Sequence, residues 1–184
     1  MGAGLFPENT DDRAALDVAG VYLRVKMYEG GRLVGYVGQS KHLLQRFDQH
    51  LTRILSLNVT IRDETGLPAC GTDRLALFNA LDKAGPLAFA EARRTRFYFA
   101  RAEDGFDVDY LTLLEALLKA RAEQNLGSAC ENIQSIAVGA FDHDISVTHD
   151  FSLLAADAAA VVQSVIGVDS IHLQAAEEAF DHAD

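Results

Sequence analysis

The segment from Gly20 to Tyr28 alternates strictly between two classes of side chain. Apolar residues occupy the odd positions: Val21, Leu23, Val25 and Met27. Polar and aromatic residues occupy the even positions: Tyr22, Arg24, Lys26 and Tyr28. Because successive side chains of a strand point to opposite faces, this pattern predicts a strand with one face in the core and one polar face.

A second short strand follows at 33–37, after the loop residues 29–31. Glycines between two apolar runs indicate a β-hairpin. A two-residue Gly-Gly turn would pair Val25 with Tyr36 and separate Tyr36 from Tyr22. A three-residue loop, with Gly31 left-handed, would pair Tyr28 with Arg32 and Arg24 with Tyr36. The three-residue loop must therefore form if the two tyrosines are to act together.

A helix is expected after the hairpin, over 41–55, with Ser40 as its cap. Its apolar stripe is Leu43, Leu44, Phe47, Leu51 and Ile54. Arg46 and His50 are four residues apart and share the flank of that stripe. Side chains on this flank point into the crease between helix and sheet, where a site can form.

The remaining segments carry weaker patterns. Residues 56–86 are rich in glycine and proline, with a short helix expected at 72–83, and 94–101 is expected to form a third strand. A helix should run from Asp107 or Asp109 to about Glu123, with Glu115 off its apolar stripe of Tyr110, Leu111, Leu114, Leu117 and Leu118. An amphipathic helix is expected at about 151–166. The order predicts an α+β fold, in which a small antiparallel three-stranded sheet is flanked by helices.

Charge divides the chain into two parts. Of its 16 basic residues, all lie in 1–125 beside 17 acidic residues, which leaves that part at −1. The last 59 residues carry 10 acidic residues and no lysine or arginine. The chain is therefore expected to comprise a domain at 1–140 and an acidic helical extension at 141–184. A near-neutral domain argues against avid coating of nucleic acid, but it can still focus cations in one cleft.

The chain lacks the features of a secreted or membrane protein. No stretch reaches the roughly 20 apolar residues of a membrane span, and the first residues are acidic rather than basic. The cysteines, Cys70 and Cys130, form no CxxC pair and are expected to be reduced thiols. These features predict a soluble, cytoplasmic protein without a membrane partner.

Gly20-Val21-Tyr22 followed by Tyr36-Val37-Gly38 resembles the paired signatures of the GIY-YIG nuclease family. The order of the two triplets, the 14-residue spacing of their tyrosines, and Arg46 with His50 on the next helix carry the resemblance jointly. It covers roughly residues 19–135. Arg46 lies 69 residues before Glu115, farther apart than in compact members, so an insertion is expected near 56–86.

The resemblance implies a metal-dependent endonuclease that hydrolyses DNA phosphodiester bonds. Tyr22 would orient or activate the water, Tyr36 would hold the phosphate or the water network, and His50 would assist. Arg46 would bind phosphate through its planar, permanently charged fork. Glu115 would bind Mg²⁺ or Mn²⁺, since one carboxylate plus substrate phosphate suits an ion that keeps most of its waters.

Four further residues are expected to support the substrate: Arg24, Lys26, Lys41 and Asn132. The three cations would supply the field that a tyrosine needs to act as a base, because its ordinary pKa is about 10. Asn132 resembles the terminal asparagine of the family, although Asn125 competes for that assignment. The alternative is a catalytically silent binding module of the same fold, whose acidic tail contacts a protein partner or masks the cleft.

Overall fold

The computed structural model describes residues 17–69, 73–102, 108–132 and 144–173. Three antiparallel strands form its main sheet, in the order β2-β1-β3. They are β1 (Gly20–Met27), β2 (Leu33–Ser40) and β3 (Thr95–Arg101). The alternation at 20–28 thus marks the central strand, and every residue of β1 except Met27 is buried.

The hairpin between β1 and β2 has the three-residue loop. Arg24 lies opposite Tyr36, and the backbone N–H of Tyr28 donates to the carbonyl of Arg32 at 2.9 Å. Gly30 and Gly31 have φ values of 70° and 78°, a region that glycine enters without steric cost. This register confirms that Tyr22, Arg24 and Tyr36 share one face of the sheet.

Helices cover both faces of the sheet. They are α1 (Leu43–Leu55), α2 (Arg74–Asn79), α3 (Leu81–Arg94), α4 (Val108–Leu126) and α5 (Ala156–Ile166). On the face of Tyr22, Phe47 of α1 packs against the tyrosine, and Ile54 of α1 packs against Ala92 of α3. On the opposite face, α4 covers Val21 and Leu23. An α+β fold with a small antiparallel sheet between helices is therefore what the chain forms.

Residues 144–173 are attached to the same core. Val162, Val165 and Ile166 of α5 belong to one buried cluster with Val21 and Leu23 of β1. The short strands β4 (Ile145–Val147) and β5 (Ile171–Leu173) pair antiparallel on either side of α5 in the chain. The extension expected to be helical is thus helix plus a two-stranded sheet, and its helix begins at 156 rather than 151. Residues 174–184 lie outside the described part.

Two boundaries differ from expectation for local reasons. The first helix begins at Leu43 rather than 41, because the Ser40 hydroxyl accepts from the N–H of His42 at 3.0 Å and holds a turn ahead of the helix. Gly85 and Pro86, expected to interrupt the chain, lie inside α3. Tertiary packing outweighs their poor helix propensity, since Ala84 and Ala88 beside them are buried.

The apolar stripe expected on α4 is also wrong in part. Tyr110 is exposed, whereas Leu113 and Ala116 are buried along with Glu115. The reason is that α4 lies between the sheet and α5, so it buries two faces instead of one.

Candidate active site

Gly20 and Gly38, the glycines of the two triplets, stand where no larger side chain has room. A Cβ on Gly38 would lie 2.5 Å from Tyr22 Oη and 2.6 Å from its Cζ, because the phenol lies across the strand over Gly38. A Cβ on Gly20 would lie 2.2 Å from the carbonyl oxygen of Ala100 on β3. Both distances are too short for a real contact. Gly38 therefore lets the Tyr22 ring lie close to β2, and Gly20 lets β3 lie close to β1.

The Tyr22 hydroxyl is held from two sides by α1. His50 Nε2 lies 2.7 Å from Tyr22 Oη, and Arg46 Nε donates to the same oxygen at 3.1 Å. Residues four apart lie one turn from each other on a helix, and the crease between α1 and the sheet brings both to the phenol. The expected convergence of Tyr22, Arg46 and His50 is therefore present.

Burial controls the protonation of this group. Tyr22 is 2% exposed, and its burial raises the pKa to about 12, against the opposing effect of the Arg46 hydrogen bond. Burial, followed by the positive charges of Arg24 and Arg46, lowers the pKa of His50 to about 3. At neutral pH Tyr22 is thus a phenol and His50 is a neutral imidazole.

Tyr36 and Arg46 form the half-exposed rim of the site. The Tyr36 ring stacks on Tyr22 at a centroid distance of 6.1 Å and meets His50 edge-on at 5.3 Å. The Arg24 guanidinium carbon lies 4.9 Å from the Tyr36 ring centroid, in a cation–π contact. Although burial lowers the pKa of Arg46, its hydrogen bonds with the Tyr22 and Tyr36 hydroxyls outweigh that effect and raise it, so Arg46 stays charged.

Arg24 and Lys26 lie beneath the rim in a buried ion-pair network. Arg24 Nη2 pairs with Glu131 Oε2, and Lys26 Nζ lies 2.9 Å from Glu91 Oε1 and 3.4 Å from Glu131 Oε1. Tyr28 completes the network by donating its hydroxyl hydrogen to Glu91 at 2.7 Å. Lys26 is 1% exposed, and these two carboxylates neutralise its charge, which therefore does not act at the surface.

Sequence reasoning missed the two acids of this network. One is Glu131, which directly precedes Asn132, the residue expected to match the family's terminal asparagine. Glu131 Oε1 also lies 3.4 Å from Arg62 Nε. The charges of Lys26, Arg24 and Arg62 lower the pKa of Glu131 although burial opposes them. The available signal was the pair of cations on the inner face of β1, which had to find carboxylates if they were buried.

Asn132 fastens the chain to the edge of β2. Its Oδ1 accepts from the N–H of Val37 at 2.9 Å, and its Nδ2 donates to the Val37 carbonyl at 2.8 Å. The N–H of Glu131 donates to the carbonyl of Gly35 at 2.7 Å beside it. Asn125 instead donates to the carbonyl of Val165 on α5. Asn132 is therefore the asparagine near the site, and it holds the backbone of Val37 there while also accepting from the Cys130 thiol at 3.4 Å.

Lys41 and Glu115 are not brought into this cluster. Lys41 is exposed and makes no ion pair within the described residues. Glu115 is 8% exposed and pairs with Lys119 on its own helix at 3.2 Å. Since α4 covers the Val21 face of the sheet, Glu115 comes from the opposite layer to Tyr22.

Comparison with models of known protein families, with curated proteins and with solved structures gives no match. Within the described ranges, no group of three or more histidine, cysteine, aspartate or glutamate side chains is placed to hold a metal ion. None of the helices there has the length and apolarity needed to cross a membrane.

Proposed function

We propose that this chain is a metal-dependent endonuclease with the GIY-YIG nuclease fold, which hydrolyses DNA phosphodiester bonds. Tyr22 orients the attacking water, Arg46 binds the scissile phosphate, and Glu115 holds Mg²⁺ or Mn²⁺. The observation that carries the proposal is the Tyr22 hydroxyl held between His50 at 2.7 Å and Arg46 at 3.1 Å, beneath a half-exposed rim.

The tyrosine fits the orienting role better than that of a free base. A phenol with a pKa near 12 keeps its proton at neutral pH, so it acts by hydrogen bonding until a substrate or metal-bound water alters its surroundings. Its ring is locked by Gly38 on one side and by Phe47, whose ring meets it edge-on at 5.9 Å. A group fixed in this way holds a water in place without further loss of entropy.

Arg46 is the cation suited to the phosphate. Its described partners are the hydroxyls of Tyr22 and Tyr36 and the amide oxygen of Gln49, at 3.0 Å. Hydroxyls and amides are weaker partners for a guanidinium than a carboxylate, so an incoming phosphate can displace them. Arg24 and Lys26 differ, because Glu131 and Glu91 already neutralise them. We propose that they support the substrate indirectly, by holding the inner side of the site in place, Arg24 through its hydrogen bond to His50.

The metal proposal rests on the chemistry of Glu115. A single carboxylate is a sufficient protein ligand for Mg²⁺, which keeps waters and takes substrate oxygens for its other positions. The ion would polarise the phosphate and stabilise the leaving oxygen, which requires Glu115 to approach the Tyr22 layer from the opposite side of the sheet. Lys119, now paired with Glu115 at 3.2 Å, must release the carboxylate when the ion binds.

A specific observation favours the second candidate, a catalytically silent binding module whose acidic tail contacts a protein partner or masks the cleft. Glu115 is paired within its own helix and comes from the layer opposite Tyr22. A module that had lost its metal would show such an arrangement.

Nicking of supercoiled plasmid in Mg²⁺ and in Mn²⁺ separates the two candidates. We expect the wild type to nick, and Tyr22→Phe and Glu115→Ala to lower the rate about 100-fold or more. Two matched controls should nick normally. Tyr98→Phe lies on β3 opposite Leu23, on the face of the sheet away from Tyr22, and Glu123→Ala is exposed on α4. A folded wild type that nicks no plasmid with either metal refutes the enzyme and supports the binding module.

A further inference from the structure

The hydrogen-bond partners of His50 fix the position of its single proton. Arg24 Nη1 lies 2.8 Å from His50 Nδ1, and a guanidinium nitrogen can only donate. His50 Nδ1 must therefore accept, which leaves the proton of the neutral ring on Nε2. Nε2 faces Tyr22 Oη at 2.7 Å, so His50 donates to the tyrosine and cannot remove its proton.

The direction of the Tyr22 hydroxyl follows from this assignment. Both neighbours of Tyr22 Oη, His50 Nε2–H and Arg46 Nε–H, donate to the oxygen. Neither can accept the Tyr22 hydrogen, which is left for a substrate oxygen or a water. The orienting role of Tyr22 thus depends on which nitrogen of His50 is protonated.

Arg24 is held in turn from outside the sheet. Its Nη2 pairs with Glu131, whose backbone bonds to Gly35 on the edge of β2. Asn132, clamped to both backbone groups of Val37, keeps this segment in register with the strand. A chain of contacts therefore runs from Glu131 through Arg24 and His50 to Tyr22.

We propose that Glu131 is a positioning residue that acts through Arg24 to hold His50 in the Nε2–H form, so that the Tyr22 hydroxyl hydrogen faces the substrate. The role rests on the proposed nuclease for its effect on rate, but the proton position on His50 does not. Glu131 touches no reacting atom in this scheme. Its charge orients the Arg24 fork, and the fork selects the form of the imidazole.

Nitrogen NMR of ¹⁵N-histidine-labelled protein tests the proposal directly, with His50→Gln used to assign the resonances. The wild type should show His50 with a bare Nδ1 and a protonated Nε2 between pH 5 and 8. Glu131→Gln should shift His50 toward a mixture of the two neutral forms, whereas Glu123→Gln, an exposed acid of α4, should leave it unchanged. A wild-type His50 protonated on Nδ1 overturns the proposal without any variant.

The rate of plasmid nicking supplies a second readout that a merely structural role would not reproduce. Glu131→Gln should slow nicking by up to about 100-fold, as expected for a misplaced hydrogen bond. In a His50→Ala background the same substitution should cost less than about 3-fold, because its route to Tyr22 is gone. Equal costs in both backgrounds refute the relay, even if the wild type nicks. Conversely, the expected NMR result in a protein that nicks nothing leaves the relay standing and removes the nuclease.

Discussion

His50 should make the stability of the protein depend on pH. It is 4% exposed and neutral in the folded state, where burial and the charge of Arg24 lower its pKa to about 3. In the unfolded chain its pKa returns to about 6.5. Between these values the unfolded state binds one more proton than the folded state, so the free energy of unfolding falls as pH falls below about 6.5.

The magnitude follows from the width of the window. Each pH unit between the two pKa values changes the free energy of unfolding by about 1.4 kcal/mol. Lowering the pH from 7.5 to 5.0 crosses about 1.5 units of that window, so His50 alone should remove ~2 kcal/mol. This is a large share of the 5–15 kcal/mol that is typical of a domain.

Urea unfolding at pH 7.5 and 5.0 measures the effect. His50→Gln should lose about 2 kcal/mol less than the wild type over this interval, because the unfolded variant has no imidazole to protonate at that position. His172→Gln, at an exposed position of β5, is the matched control and should lose as much stability as the wild type. If the wild type and His50→Gln lose the same stability, His50 is not buried in its neutral form.

Two further substitutions test the packing and the ion pairs of the site. Gly38→Ala should push the Tyr22 ring out of place, which should destabilise the protein by about 1–3 kcal/mol and abolish nicking. Gly85→Ala, whose Cβ would meet open space inside α3, should stabilise the protein by up to about 1 kcal/mol. Equal thermal midpoints for the two variants would contradict the contact. Glu91→Gln should leave Lys26 buried without its closest carboxylate and cost about 3–5 kcal/mol in urea unfolding, while Glu91→Leu combined with Lys26→Met should recover most of it. A double variant as unstable as the single one would show that the charge pair is not the cause.

The hairpin and the site on α1 could be predicted because their determinants are local. Strict alternation fixes the faces of 20–28, and a four-residue spacing places Arg46 and His50 together on α1. The sequence left two loop lengths open, and the pairing of Arg24 with Tyr36 shows that the three-residue loop forms. The helix α3 could not be predicted, because Gly85 and Pro86 suggest a break that packing overrides. Burial of Glu115 was missed for a related reason, since one sequence cannot tell that α5 covers the outer side of α4.

The acids of the network were missed because they are distant in the chain. Glu131 is 107 positions from Arg24 in the sequence, and Glu91 is 65 positions from Lys26. No periodicity links residues at such separations. The sequence suggested only that these cations support the substrate, whereas their burial requires carboxylate partners that only the fold supplies.

The composition of this sheet face is itself an argument for a site. Buried ion pairs rarely stabilise a fold more than apolar residues of the same volume would, and a neutral histidine buried beside arginines lowers stability below pH 6.5. On the opposite face of the same strand, Val21, Leu23 and Val25 provide the core without such costs. Tyr22 is instead held by His50 at 2.7 Å and by Arg46, on the half-exposed rim, at 3.1 Å. Groups whose pKa values are shifted in this way cluster at functional sites, and for this reason we propose chemistry at the Tyr22 hydroxyl rather than packing as the role of this face.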